Sequence, residues 1–61
     1  MLKEVRESKG LSQAALAEIS GVSKKAICSY EQGWRNIRMA SYDTLEKLAN
    51  ALETEIKDIV N

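Results

Sequence analysis

Two short helical patterns meet across a single glycine in the stretch LSQAALAEISGVSKKAICSYEQG, Leu11 to Gly33, and that junction constrains the chain more than any other feature. The first pattern opens at Ser12, a good N-cap type, and continues through Gln13 into the strong helix formers Ala14, Ala15, Leu16 and Ala17. It closes at Ser20-Gly21, because glycine takes the left-handed conformation that stops a helix at little steric cost. Val22 supplies an apolar plug, and Ser23 caps a second helix running to about Gln32, with Gly33 as its stop. So tight a turn forces the two helices to cross steeply, and Ala17 and Ala26 are small enough to let them approach. The second helix is expected to bury Val22, Ile27 and one side of Tyr30. A 3.6-residue period then leaves Lys24, Lys25, Cys28 and Ser29 facing outward.

The rest of the chain reads as support for this pair. Met1 to Lys9 forms a first helix with Leu2, Val5 and the stem of Arg6 inward, and Lys3 and Glu7 placed for a modest ion pair. Ser41 caps the most regular helix, in which Leu45, Leu48, Ala49 and Leu52 make one apolar stripe. Thr54 is expected to cap a last short helix whose Ile56, Ile59 and Val60 are apolar. Between them lies the loop GWRNIRMA, Gly33 to Ala40, where Ile37 and Met39 are expected to tuck inward. The outcome is a single all-α domain over 1–61, with helices at about 1–9, 12–19, 23–32, 41–52 and 55–60.

Residue types narrow the chemistry. The 61 residues include one cysteine and no histidine, which excludes an internal disulfide, a Cys/His zinc site and any His-based catalytic triad. No pair of catalytic groups stands out, so neither an enzyme nor a cofactor is expected. No apolar run approaches the roughly 20 residues of a membrane span, and a cytoplasmic protein is the expectation. Formal net charge is zero, yet the charges are sorted. Lys24, Lys25, Arg35 and Arg38 stand against Glu31 alone between 24 and 38, whereas Asp43, Glu46, Glu53, Glu55 and Asp58 outnumber Lys47 and Lys57 further on. One positive face and one negative end follow.

The residues also carry a likeness. KGLSQ at 9–13, LAE at 16–18, GVSK at 21–24, I-x-x-YEQG at 27–33, RN at 35–36 and TLEKLANAL at 44–52 together resemble the Cro/phage-repressor type of helix-turn-helix. The resemblance covers nearly the whole chain and implies a five-helix, lambda-repressor-like DNA-binding domain with a central helix-turn-helix. Departures are local. The first helix is short by about a turn, and Ser20 stands where many relatives have an apolar residue, a gap that Ile19 is expected to cover. Ile37 follows the RN pair in place of an early proline, and Glu53 replaces a glycine after the A-L pair.

The resemblance implies a division of labour at a double-stranded DNA surface. The helix from Ser23 to Gln32 enters the major groove, with Lys24, Lys25, Cys28 and Ser29 as base-reading candidates. Ser12, Gln13, Ser23, Trp34, Arg35, Asn36 and Arg38 are the phosphate-contact candidates, through helix N-termini, amide and forked guanidinium donors. Ser12 is equally well explained as a plain cap, and for Trp34 packing against the edge of the core is favoured over contact. Cys28 is also open to a role as a redox switch. Tyr30 and Glu31 match positions where an aromatic packs and an acid anchors the loop. The resulting expectation is a sequence-specific regulator, a small repressor of a bacterial or mobile-element operon. It would act as a homodimer through Ile56, Ile59 and Val60. The alternative is a protein-interaction module, such as an antitoxin or adaptor, that uses the same bundle to hold a protein partner.

Overall fold

The computed structural model describes residues 1–60, and these form five α-helices and one 3-10 turn with no strand among them. The helices are α1 (Leu2–Ser8), α2 (Gln13–Ser20), α3 (Lys24–Gln32), α4 (Tyr42–Ala51) and α5 (Ile56–Val60), and the turn spans Ile37–Met39. Three serines start helices as side-chain caps. Ser12 accepts from the Ala15 N–H at 3.0 Å, Ser23 from Ala26 at 3.1 Å and Ser41 from Thr44 at 3.1 Å. Each satisfies one of the donors that a helix start leaves without a partner.

Glycine ends the two helices of the central pair. Gly21 lies at φ 78° and Gly33 at φ 82°, the left-handed region that a Cβ disfavours. At Gly33 the pattern is a Schellman motif. The Trp34 N–H donates to the Ser29 carbonyl at 3.0 Å and the Gly33 N–H to the Tyr30 carbonyl at 3.3 Å. Where α4 ends, the chain makes the same excursion without glycine, and Glu53 sits at φ 54°.

The core forms where α2 packs on α3 and α4 while α1 and α4 pack on α5. Leu16, Ile27, Leu48, Leu52 and Ile59 are its fully buried side chains, joined by Leu2, Val22, Ile37, Leu45 and Ala49. The stripe expected on α4 is therefore all inside. Arg6 is also inside, and its side chain does more than cover the core.

Several expectations are corrected here. Ser20 completes α2 and is buried, its hydroxyl accepting from the Val22 N–H at 3.1 Å, whereas Ile19 is 58 % exposed and covers nothing. Met39 is 82 % exposed because a 3-10 turn has three residues per turn and spends its inward position on Ile37. Ile59 is fully buried, so it cannot belong to an outer dimer face; Ile56 and Val60 are only partly buried. Lys3 and Glu7 form no ion pair, and Glu4 faces the N-terminal ammonium at 3.6 Å. Thr54 does not accept a backbone N–H. Its hydroxyl donates to Asp58 Oδ2 at 2.8 Å, and that same oxygen accepts the Glu55 N–H at 3.3 Å. Those two bonds, the hydroxyl first, hold the exposed Asp58 carboxyl below its ordinary range.

Candidate nucleic-acid interface

α3 presents its polar side as the periodicity requires. Lys24 and Lys25 are exposed in the first turn, with neither an ion pair nor a side-chain hydrogen bond among the described residues. Cys28 and Ser29 follow one turn on and are half-buried, flanking the exposed lysines rather than standing out with them. Gln32 is exposed as well and lies seven residues after Lys25, on the same side of the helix. Its position as the last residue of α3 hides it in a reading that starts from the first turn. Its place in the period was the available signal.

Beneath this face lies a polar cluster that ties four segments together. The Arg6 guanidinium from α1 donates twice to Glu31 of α3, from Nε to Oε2 at 2.7 Å and from Nη2 to Oε1 at 3.0 Å. Its Nη1 donates to the Leu11 carbonyl at 2.6 Å, in the segment between α1 and α2. Gln13, the first residue of α2, donates from Nε2 to Glu31 Oε1 at 2.9 Å. The Glu31 side chain is only 2 % exposed and Arg6 is nearly as well covered. Burial pushes the Glu31 carboxyl up. The hydrogen bonds from Arg6 and Gln13, with the charges of Arg6 and Lys3, outweigh it and hold the group below the ordinary glutamate range. The bond to Glu31 conversely raises Arg6 against the opposing effect of burial. Glu31 thus anchors α1 and α2, where the sequence had suggested the following loop.

This burial changes the electrostatic count. Between residues 24 and 38 the sequence has four basic residues and one acid, but the acid is turned inward and neutralised by Arg6. Outward, Lys24, Lys25, Arg35 and Arg38 have no acid among them. Two of the other lysines are engaged away from this face, Lys47 with Asp43 at 3.1 Å and Lys57 with Glu55 at 3.3 Å. Zero net charge therefore coexists with an uncompensated positive surface.

The loop after α3 is held at several points. The Arg35 guanidinium lies 4.9 Å from the centre of the Tyr30 ring, a cation–π stack that keeps it beside α3. Asn36 accepts from the Arg38 N–H through Oδ1 at 3.0 Å and so starts the 3-10 turn, leaving its NH2 group to donate. Arg38 donates from Nε to the Val60 carbonyl at 3.0 Å, and its two terminal nitrogens have no partner among the described residues. Trp34 does not pack on the core: it is 76 % exposed, because the backbone of the Schellman motif fixes the residue and nothing lies over the ring. Ser12 and Ser23 spend an oxygen lone pair on capping and keep the hydroxyl proton free to donate. Gln13 is drawn toward the C-terminal half of α3, and its amide is partly committed to Glu31.

Comparison with known proteins agrees with this geometry. A helix-turn-helix family model matches residues 2–59. A provisionally named HTH-type transcriptional regulatory protein of Methanocaldococcus jannaschii is 43% identical over 56 residues, which take in 92% of this chain and 17% of that protein. The chain thus spans less than a fifth of that relative's length. No solved structure matches it.

Proposed function

The chain belongs to the helix-turn-helix family of Cro and phage-repressor type, and from that premise we propose a sequence-specific regulator that binds double-stranded DNA and represses transcription. The observation that carries this reading is the sealed carboxylate of Glu31, which leaves Lys24, Lys25, Arg35 and Arg38 as a positive face without an acid. α3 enters the major groove by its N-terminal turn. Lys24 and Lys25 donate to guanine O6 and N7, and Cys28 and Ser29 approach from the flank. Phosphates are held by Gln13, Ser12 and Ser23 at two helix starts and by Arg35, Asn36 and Arg38 along the loop, with Trp34 against a backbone sugar. Two copies on half-sites about one helical turn apart would block polymerase access. The operon belongs to a cell or a mobile element. The similarity to an M. jannaschii protein gives no reason to restrict it to bacteria.

A second reading rests on one observation of its own. Trp34, Met39 and Tyr42, within nine residues, are 76 %, 82 % and 70 % exposed, large apolar side chains available to a protein partner. Such a module would be an antitoxin or adaptor, and repression and partner binding are compatible on one bundle. Salt separates the two. Phosphate contacts make DNA affinity fall steeply as salt rises, while apolar association barely responds.

The deciding experiment is selection of the purified protein against random double-stranded DNA at near-physiological salt. Enrichment of an inverted repeat with half-sites one turn apart establishes a dimeric base-reading regulator. A single enriched half-site indicates a monomer. Enrichment of nothing, in the wild type and Lys25→Ala alike, refutes the first reading and leaves the partner-binding one.

A further inference from the structure

We propose that Glu31 is a positioning residue for DNA binding: its buried carboxylate holds the Gln13 amide with one Nε2–H committed inward and the other presented outward at the start of α2. The inference rests on the DNA-binding reading given above.

Three observations carry it. First, the partner's chemistry decides the orientation of the amide. A carboxylate held as an anion by Arg6 only accepts, so the atom of Gln13 at 2.9 Å from Glu31 Oε1 is the nitrogen. Second, the acceptor is held on both oxygens. Glu31 Oε1 also takes Arg6 Nη2 at 3.0 Å, its other oxygen takes Arg6 Nε at 2.7 Å, and Arg6 is itself fixed to the Leu11 carbonyl at 2.6 Å. Third, the Gln13 amide makes one hydrogen bond, to Glu31, and its remaining N–H has no acceptor among the described residues. Gln13 is half-buried, at the first position of a helix whose N–H groups point at an approaching anion.

A glutamine free to rotate loses its rotamers when it closes on a phosphate. One already held by Glu31 has lost them on folding. Immobilising one flexible side chain at an interface typically weakens association roughly two- to tenfold, and that is the gain in affinity assigned to Glu31. Arg6 and Glu31 touch no DNA in this arrangement; they act through Gln13.

The test is a double-mutant cycle on DNA affinity, made well below the melting temperature of every variant and using the site recovered by selection. Glu31→Gln is combined with Gln13→Ala, and folding is checked by far-UV circular dichroism. Glu31→Gln should weaken binding roughly two- to tenfold when Gln13 is present and leave it unchanged in the Gln13→Ala background. Equal losses in both backgrounds would reduce Glu31 to a purely structural role and overturn the proposal, as would no loss in either. If Glu31→Gln does not fold, Glu31→Asp takes its place, since it keeps the charge opposite Arg6 and withdraws the oxygen from Gln13. A second readout needs no DNA. The Gln13 side-chain NH2 should show backbone-like 15N relaxation in the free wild type and become mobile in the Glu31 variant. A mobile NH2 in the wild type overturns the positioning role by itself. Absence of DNA binding by the wild type, with the NH2 rigid, instead removes the DNA reading on which the role depends.

Discussion

Removing the guanidinium of Arg6 should unsettle the domain in a way that reverses its response to acid. In Arg6→Met the thioether chain fills much the same space. Glu31 keeps the Gln13 bond but loses both bonds from Arg6, and the Leu11 carbonyl loses its donor. Leaving one member of a buried ion pair unpaired costs about 3–5 kcal/mol. A chain of 61 residues has a total stability of only roughly 3–9 kcal/mol. The variant should therefore be marginal at neutral pH, and an osmolyte such as TMAO would bring it into measurable range.

The sign of the pH dependence then separates ion pairing from simple loss of packing. In the wild type the Glu31 carboxyl titrates below its ordinary value, so its stabilisation is complete above about pH 4.3 and is lost as pH falls through the depressed value. In Arg6→Met, burial, the largest influence on the group, is opposed only by the Gln13 bond and the charge of Lys3, and the carboxyl should titrate above the ordinary value. Its penalty grows as pH rises from about 4.3 toward 7 and is relieved when the group is protonated. The stability gap between the two proteins should accordingly narrow by up to about 1.4 kcal/mol per pH unit on going from pH 7 toward 4. Urea unfolding followed by far-UV circular dichroism measures it. Trp34 is too exposed to serve as a fluorescent reporter of the core. The double variant Arg6→Met/Glu31→Leu should recover most of the loss, since apolar replacement of a whole buried pair is often neutral or stabilising. A gap that stays constant or widens toward acid, or a double variant no better than the single, would refute this account.

Other perturbations give clear directions. Glu53→Gly should raise stability by about 0.5 kcal/mol, since relief of a left-handed residue gains roughly 1–2 kcal/mol and glycine's chain entropy returns about 0.5–1. A urea midpoint lowered by the entropic cost of glycine would mean that the position carries no strain. Gly33→Ala should cost about 0.5 kcal/mol by the same balance reversed, seen as a lower melting temperature. Ser41→Ala removes the cap of α4 and should cost about 1 kcal/mol in the same measurement. On DNA, Lys24→Ala or Lys25→Ala should alter which sequence is preferred, whereas Arg35→Ala should weaken all sequences and reduce the salt slope by about one. Equal, sequence-blind losses from the lysines would move them to the phosphate class.

What could be read from the sequence was what is decided within a turn or two of chain. Ser12, Ser23 and Ser41 cap because the N–H they bind lies three residues on, and Gly21 and Gly33 stop helices because of their own backbone freedom. Leu45, Leu48, Ala49 and Leu52 follow from period alone. The partnership of Arg6 with Glu31 crosses 25 residues, and local patterning does not pair charges at that range. A trace existed nonetheless. Arg6 follows Leu2 by four residues and Glu31 follows Ile27 by four, so both charges lie on apolar stripes where an unpaired charge would be intolerable. Apolar character alone would put Trp34 and Met39 inside, but the loop geometry leaves both exposed. The outward lysines were legible from period. The half-burial of Cys28 and Ser29 depends on packing from outside α3, which that segment alone does not specify.

The N-terminal ammonium donates to the Asp58 carbonyl at 3.1 Å, and α1 packs against α5. α1, which is synthesised well before α5, therefore has to wait for it. Between the synthesis of Leu2 and that of Ile59, both buried in one core, some 3–11 s elapse at ordinary elongation rates of about 5–20 residues per second. Through that interval α2, α3 and α4 can assemble from local contacts, while Leu2 and the underside of Arg6 remain uncovered. Nascent chains stalled before Ile59 should be open to proteases at α1, and those released beyond it should be closed.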